Sequence, residues 1–208
     1  MGVEESFPRH FFEAAGKAVA AFNNLKAAWM FIGAVPVATW GRVRATTDVD
    51  FAVSLDLLAS SDLDREMDKA GFSKESGPVE IPGKRLILSK YTAPYAGGIL
   101  GIDVFYTPGY DTGRFLQSAL DRKVEVTFHG KSYWATSAED LIVLKILAFR
   151  VRDLDDVATV LEKRFTELDW KHIHRWASAL RIENLLTQVV AEYKKVAGIA
   201  GPMPWEKA

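Results

Sequence analysis

The chain has 208 residues, 49% hydrophobic and 25% charged, a balance ordinary for a soluble globular protein with room for a sizeable core. Its formal net charge of −1 excludes a global basic field that would recruit nucleic acid, and the absence of cysteine excludes disulfides and thiolate metal sites. The acidic start, broken by Pro8, does not read as a signal peptide, and no apolar run reaches the ~18 residues of a membrane span. A reducing, cytoplasmic setting without membrane association is expected.

Residues 10–28 place Phe11, Ala14, Ala15, Ala18, Val19 and Phe22 at helical spacing and predict a first helix. Trp29–Ile32 reads as a short strand, Gly33-Ala34 as a turn, and Val35–Trp40 as a short helix whose first turn tolerates Pro36. Asp48–Leu55 reads as a second strand. Residues 61–70 predict an amphipathic helix, capped by Ser60 or Ser61 and stopped by Gly71. Segments 83–94 and 98–108 read as two further strands, and 123–136 as a hairpin turning near His129-Gly130. From Ser137 the pattern becomes helical. Helices are expected over 137–150, with Ser137 and Asp140 as a capping box, then over 153–165 capped by Asp153, 169–180 and 182–198. Lys194 and Lys195 read as a solvated helix end. The Gly/Pro-rich tail reads as loose, with Trp205 either loose or an anchor on a partner. The expected fold is α+β: a mixed β-sheet flanked by helices in residues 1–136, then a C-terminal helical subdomain, 137–208, packed on it.

The triplet Asp48-Val49-Asp50 opens an apolar strand. Alternate strand residues share a face, so both carboxylates point the same way a few ångströms apart. Like charges so placed repel unless a cation sits between them, and a rigid oxygen pair suits Mg²⁺. The alternative is a strand end whose acids pair with Arg42 or Arg44. The same triplet recurs at Asp62–Asp64 and Asp153–Asp155, but there it sits at helix starts, where acids suit the macrodipole.

Asp103 is another lone acid in an apolar strand. Beside the first pair it would complete a three-carboxylate set able to hold two metals; otherwise it caps a loop or pairs with a lysine. Gly33 lies between a strand and a helix, where backbone amides can approach a triphosphate. Lys145 is the lone charge in an apolar helix, so its ammonium must snorkel out, meet a phosphate, or pair with Asp153 or Asp156. His172 and His174 are two apart on a helix and face different sides, and no histidine is assigned to catalysis.

Together these residues resemble the nucleotidyltransferase superfamily, and more closely its AbiEii-type and minimal members. Gly33, Ala34 and Ala38, then Gly41, Arg44, Thr46, Asp48 and Asp50, match the first motif; Leu141, Lys145, Ala148, Arg150, Asp153 and Asp156 match the later one. The resemblance implies a metal-dependent enzyme moving NMP from NTP to a hydroxyl, with Mg²⁺ or Mn²⁺ on Asp48, Asp50 and Asp103. Gly33 and Ala34 would lie under the triphosphate, with Arg44, Thr46 and Lys145 beside it. Many members carry Ser where this chain has Ala34. The resemblance further implies tRNA or protein as possible acceptor, a toxin-like role and a cognate antitoxin. A non-catalytic nucleotide- or partner-binding member of the fold is the alternative, and a metal-dependent phosphohydrolase ranks lower for want of a histidine cluster.

Overall fold

The computed structural model describes residues 7–55, 60–82, 86–95, 98–107 and 111–206. The chain builds a seven-stranded sheet in the order β3-β4-β5-β2-β1-β7-β6. The strands are β1 (Trp29–Ile32), β2 (Asp48–Val53), β3 (Ser73–Ile81), β4 (Leu86–Tyr95), β5 (Gly98–Tyr106), β6 (Val124–Phe128) and β7 (Lys131–Ala135). β2 runs parallel to β5 and β1 parallel to β7, while the other neighbours are antiparallel. The helices are α1 (Arg9–Asn24), α2 (Ala34–Trp40), α3 (Ser60–Lys69), α4 (Asp111–Asp121), α5 (Ala138–Ala148), α6 (Val151–Arg164), α7 (Trp170–Ala179) and α8 (Glu183–Val196). The architecture is the expected mixed sheet flanked by helices with a helical C-terminal part. No helix among the described residues is long and apolar enough to cross a membrane.

Strand alternation sorts the core. Val49, Phe51 and Phe31 face an aromatic layer with Phe11, Phe12 and Phe22 of α1 and Leu63 and Met67 of α3. Met30 and Ala52 face the other way, into a layer shared with Phe115 of α4, Ile142 and Ile146 of α5, Val157 of α6 and Ile173 of α7. This second layer unites residues on both sides of the 136/137 junction. Thr136 fixes that junction, donating N–H and hydroxyl bonds to the Phe31 carbonyl while its own carbonyl accepts from Trp40.

Several sequence expectations are corrected. β3 was not anticipated, because it is an edge strand with nearly every residue exposed and so shows no alternation. α4 was not anticipated either. Asp153 is not the cap of α6 but its third residue; Arg150 is the N-cap, and the two close a reciprocal box. Phe149, in the left-handed region, separates α5 from α6. The tail is not loose: Pro204–Glu206 forms a 3₁₀ turn, and Trp205 stacks on His174 with ring centroids 5.1 Å apart. Lys194 is not solvated. It is buried and donates to the carbonyls of Gly201 and Pro202, which ties the tail to α8.

Candidate active site

The register of β2 on β5 places Asp50 directly opposite Asp103, and Asp48 opposite Gly101. All three acids lie on the cavity wall. Gly101 leaves room for the Asp48 carboxylate: a β-carbon there would fall 2.4 Å from its Oδ1. Gly33 does the same for Asp50. It caps α2 with φ 77° and ψ −132°, a region reserved for glycine, and a β-carbon would fall 2.0 Å from Asp50 Oδ2. The Asp50 carboxylate therefore rests against the Gly33 backbone. Thr46 pins the start of β2, donating its hydroxyl to the Asp48 carbonyl at 3.1 Å and accepting the Asp48 N–H at 3.3 Å.

A cavity of about 390 Å³ opens over these groups, lined among others by Gly33, Arg44, Thr46, Asp48, Asp50, Asp103 and Lys145. Ala34 is buried and is not on the cavity wall, so of the eight candidates it alone stands back. Burial, then the neighbouring Asp103 and Asp48, push the Asp50 carboxyl up to about 7, against a downward pull from Lys145 and Arg44. Burial also raises Asp103, partly offset by Lys90.

Two cations serve as internal partners. Lys145, 6% exposed, donates to Asp153 at 3.0 Å and to Asp156 at 2.7 Å. Arg44 reaches the same Asp156 through Nε at 2.9 Å and Nη2 at 3.3 Å. The later motif thus closes a buried charge network beside Asp50, and an ammonium with three donors keeps one for the cavity. Gly41 lets the loop before β2 approach α6, where Lys163 donates to its carbonyl and the Arg42 N–H to Thr159. The other acidic triplets serve the scaffold: Asp64 accepts from Tyr91 at 2.7 Å, and Asp153 also accepts from Arg150. His172 is buried against Asp140 at 2.6 Å, away from the cavity.

Two site residues escaped sequence reasoning. Lys90 of β4 lies opposite Asp103 and donates to both its oxygens, at 3.1 and 2.9 Å. Its signal was the one that marked Asp103, a lone charge in an apolar strand. Arg152, in the first turn of α6, lines the cavity, is exposed and has no carboxylate partner among the described residues.

No protein-family model matches the chain, and no curated protein does. Among solved structures, an antigenic nucleotidyltransferase-like protein from Paracoccidioides brasiliensis superposes with TM-score 0.60 at 14% identity, over 89% of this chain and 90% of that one. The antibiotic-resistance factor ANT(2'')-Ia superposes with TM-score 0.51 at 14% identity, over 87% of this chain and 96% of that one. The chain has the nucleotidyltransferase-like fold.

Within this nucleotidyltransferase-like sheet, no group of three or more His, Asp or Glu among the described residues is arranged as a metal site, and Asp103 is bound to Lys90. The chemistry of the donors nevertheless fits a hard dication. Asp48, Asp50 and Asp103 supply only oxygen, and a cation among them would offset the burial and the neighbouring carboxylates that raise Asp50. Gly33→Ala tests how tightly the floor is built. It is expected to cost about 2 kcal/mol, from forbidden backbone geometry and a displaced Asp50 side chain. Thermal denaturation should show a Tm several degrees lower.

Proposed function

We propose that the chain is a nucleotidyltransferase that moves a nucleoside monophosphate from an NTP to a hydroxyl acceptor and releases pyrophosphate. One observation carries this reading: Asp50 and Asp103 face each other across β2 and β5, with Asp48 on the same face, on the wall of a cavity that also holds Gly33. Asp48, Asp50 and Asp103 would hold Mg²⁺ or Mn²⁺, which when bound neutralises the triphosphate and polarises the reacting phosphoryl group. Asp103 accepts the proton of the attacking hydroxyl. Gly33 brings backbone close to the phosphates, and Thr46 fixes the angle at which Asp48 enters the site. Ala34 contributes only backbone. Arg44 and Lys145, anchored on Asp156, hold positive potential beside Asp50 rather than clamping phosphate with a full set of free donors.

Residues 137–208 would act as the helical unit that closes the cavity over the core of residues 1–136, through Leu144, Lys145, Ala148 and Arg152. The NTP supply points to a cytoplasmic setting. The AbiEii resemblance would add a toxin-like role with a cognate antitoxin and tRNA or protein as acceptor; the apolar lining beside Asp103 speaks against RNA. The non-catalytic alternative is disfavoured because the three carboxylates stand together on one cavity wall.

The test is a thermal-shift panel of ATP, GTP, CTP and UTP with Mg²⁺ on wild type and Asp48→Ala, paired with pyrophosphate release. At least one NTP should stabilise wild type only with the metal, following affinity for the folded state. No metal-dependent shift with any NTP would refute the proposal. Arg152→Ala should raise the half-saturating NTP concentration about tenfold, the worth of one charged phosphate contact, while leaving Tm unchanged.

A further inference from the structure

The cavity face of the sheet reads in rows. Lys90, Asp103 and Asp50 form one row across β4, β5 and β2. Two residues further along the strands, about 7 Å away, Leu88, Phe105 and Ala52 form the next. Leu86 follows on β4. Opposite this wall stand Leu116 of α4 and Leu141 and Leu144 of α5, also lining the cavity. Leu88, Phe105 and Leu144 are only half-buried, so each keeps apolar surface towards the cavity.

The two sides of the carboxylate row differ in chemistry. Arg44 and Lys145 act on Asp50, and Gly33 touches it. Among the described residues Asp103 is bonded by Lys90, and along β4 and β5 past this pair the cavity wall is Leu86, Leu88 and Phe105. In-line displacement puts the attacking and leaving oxygens on opposite sides of the phosphorus. With pyrophosphate on the Gly33 side, the acceptor enters from the Asp103 side, against the apolar wall.

We propose that the acceptor is a small hydroxyl compound with an apolar body, seated on Leu86, Leu88 and Phe105 with its hydroxyl at Asp103. This rests on the nucleotidyltransferase reading. The acceptor oxygen attacks the α-phosphorus and forms a new P–O ester bond. The bond from that phosphorus to the α–β bridging oxygen breaks, and the bridging oxygen keeps the electron pair and leaves as pyrophosphate. The hydroxyl proton passes to the Asp103 carboxylate and then to solvent. A polyanionic RNA end would need several free cations on its approach, and among the described residues the β4–β5 wall offers one lysine, already bound to a carboxylate.

The experiment measures transfer of α-labelled NMP, with Mg²⁺, to cyclohexylmethanol, 2-phenylethanol and 1-hexanol, against glycerol, glucose and total tRNA. Labelled product on the apolar alcohols, in preference to the polyols and tRNA, is expected. Leu88→Asn should raise half-saturation for those alcohols about tenfold, the loss of one leucine-sized contact. Its NTP-induced thermal shift should stay intact, which shows that it folds; Phe105→Leu, a milder change, should fall between it and wild type. Transfer preferring tRNA or polyols overturns the proposal, as does an NTP-dependent thermal shift with no transfer to any apolar alcohol. The first result leaves the nucleotidyltransferase reading standing, and so does the second when pyrophosphate release accompanies the shift. Absence of any NTP shift removes that reading and this one together, and is recognised by the thermal panel alone.

Discussion

Asp50→Asn should make the free protein more stable at pH 8 while abolishing nucleotidyl transfer. The folded chain holds the Asp50 carboxyl at about 7, against an ordinary 3.8, because burial and two neighbouring carboxylates oppose its ionisation. Between those values the native state binds more protons than the unfolded chain, so this group's contribution falls as pH rises through the window. Above pH 7 the whole penalty is present. A shift of that size corresponds to at most about 4 kcal/mol, and residual solvent contact at the cavity mouth reduces it to about 2. Asparagine keeps the shape and loses the charge, so Tm at pH 8 should rise by roughly 4–8 °C, with no gain near pH 4. Mg²⁺ should stabilise wild type and not the variant. Transfer should fall by about a thousandfold or more, as for loss of a group that stabilises transition-state charge. A destabilised Asp50→Asn at pH 8 would show that the charge is already satisfied within the protein. A variant with wild-type activity would remove Asp50 from the chemistry.

Period-two and helical spacing carried β5 and the helices α6 to α8, which each bury one defined face, whereas β1, β2 and α5 were legible as apolar runs buried on both sides. β3 was illegible for a physical reason: an edge strand with both faces wet has no periodicity to read. The acidic pair was legible because a carboxylate in an apolar strand is costly without a purpose. Its geometry was not, since the opposition of Asp50 and Asp103 depends on strand register. Register also decides that Lys90 meets Asp103, and β4's sequence shows only a lysine among apolar neighbours. The tail failed as a loop because its anchors lie elsewhere, in the ring of His174 and the ammonium of Lys194. The sequence marks Lys145 as a charge that needs a partner and assigns it to the nucleotide, with Asp153 or Asp156 as the alternative; the fold supplies both aspartates from the next helix.

That pairing makes Lys145→Met the other large effect, and it separates scaffold from ligand contact. The Lys145, Asp153 and Asp156 side chains are 7%, 0% and 4% exposed. Burial pushes Asp153 up, but bonds from Arg150 and Lys145 outweigh it and hold its carboxyl below the usual range. Methionine fills the volume and removes the ammonium, leaving each aspartate with one arginine. Breaking a buried pair from one side costs about 3–5 kcal/mol, because the remaining charge is desolvated without its partner. Tm should fall by more than about 6 °C. A second change, Asp156→Leu, removes one of the stranded carboxylates, and the double variant should recover part of that loss. Arg44, 21% exposed, can turn to water when Asp156 is gone. If Lys145 served phosphate alone, Lys145→Met would keep the wild-type Tm and lose only the NTP-induced shift. The distances favour the network: the ammonium first holds α6 against α5, and through that junction it holds Arg152 and the cavity wall in place.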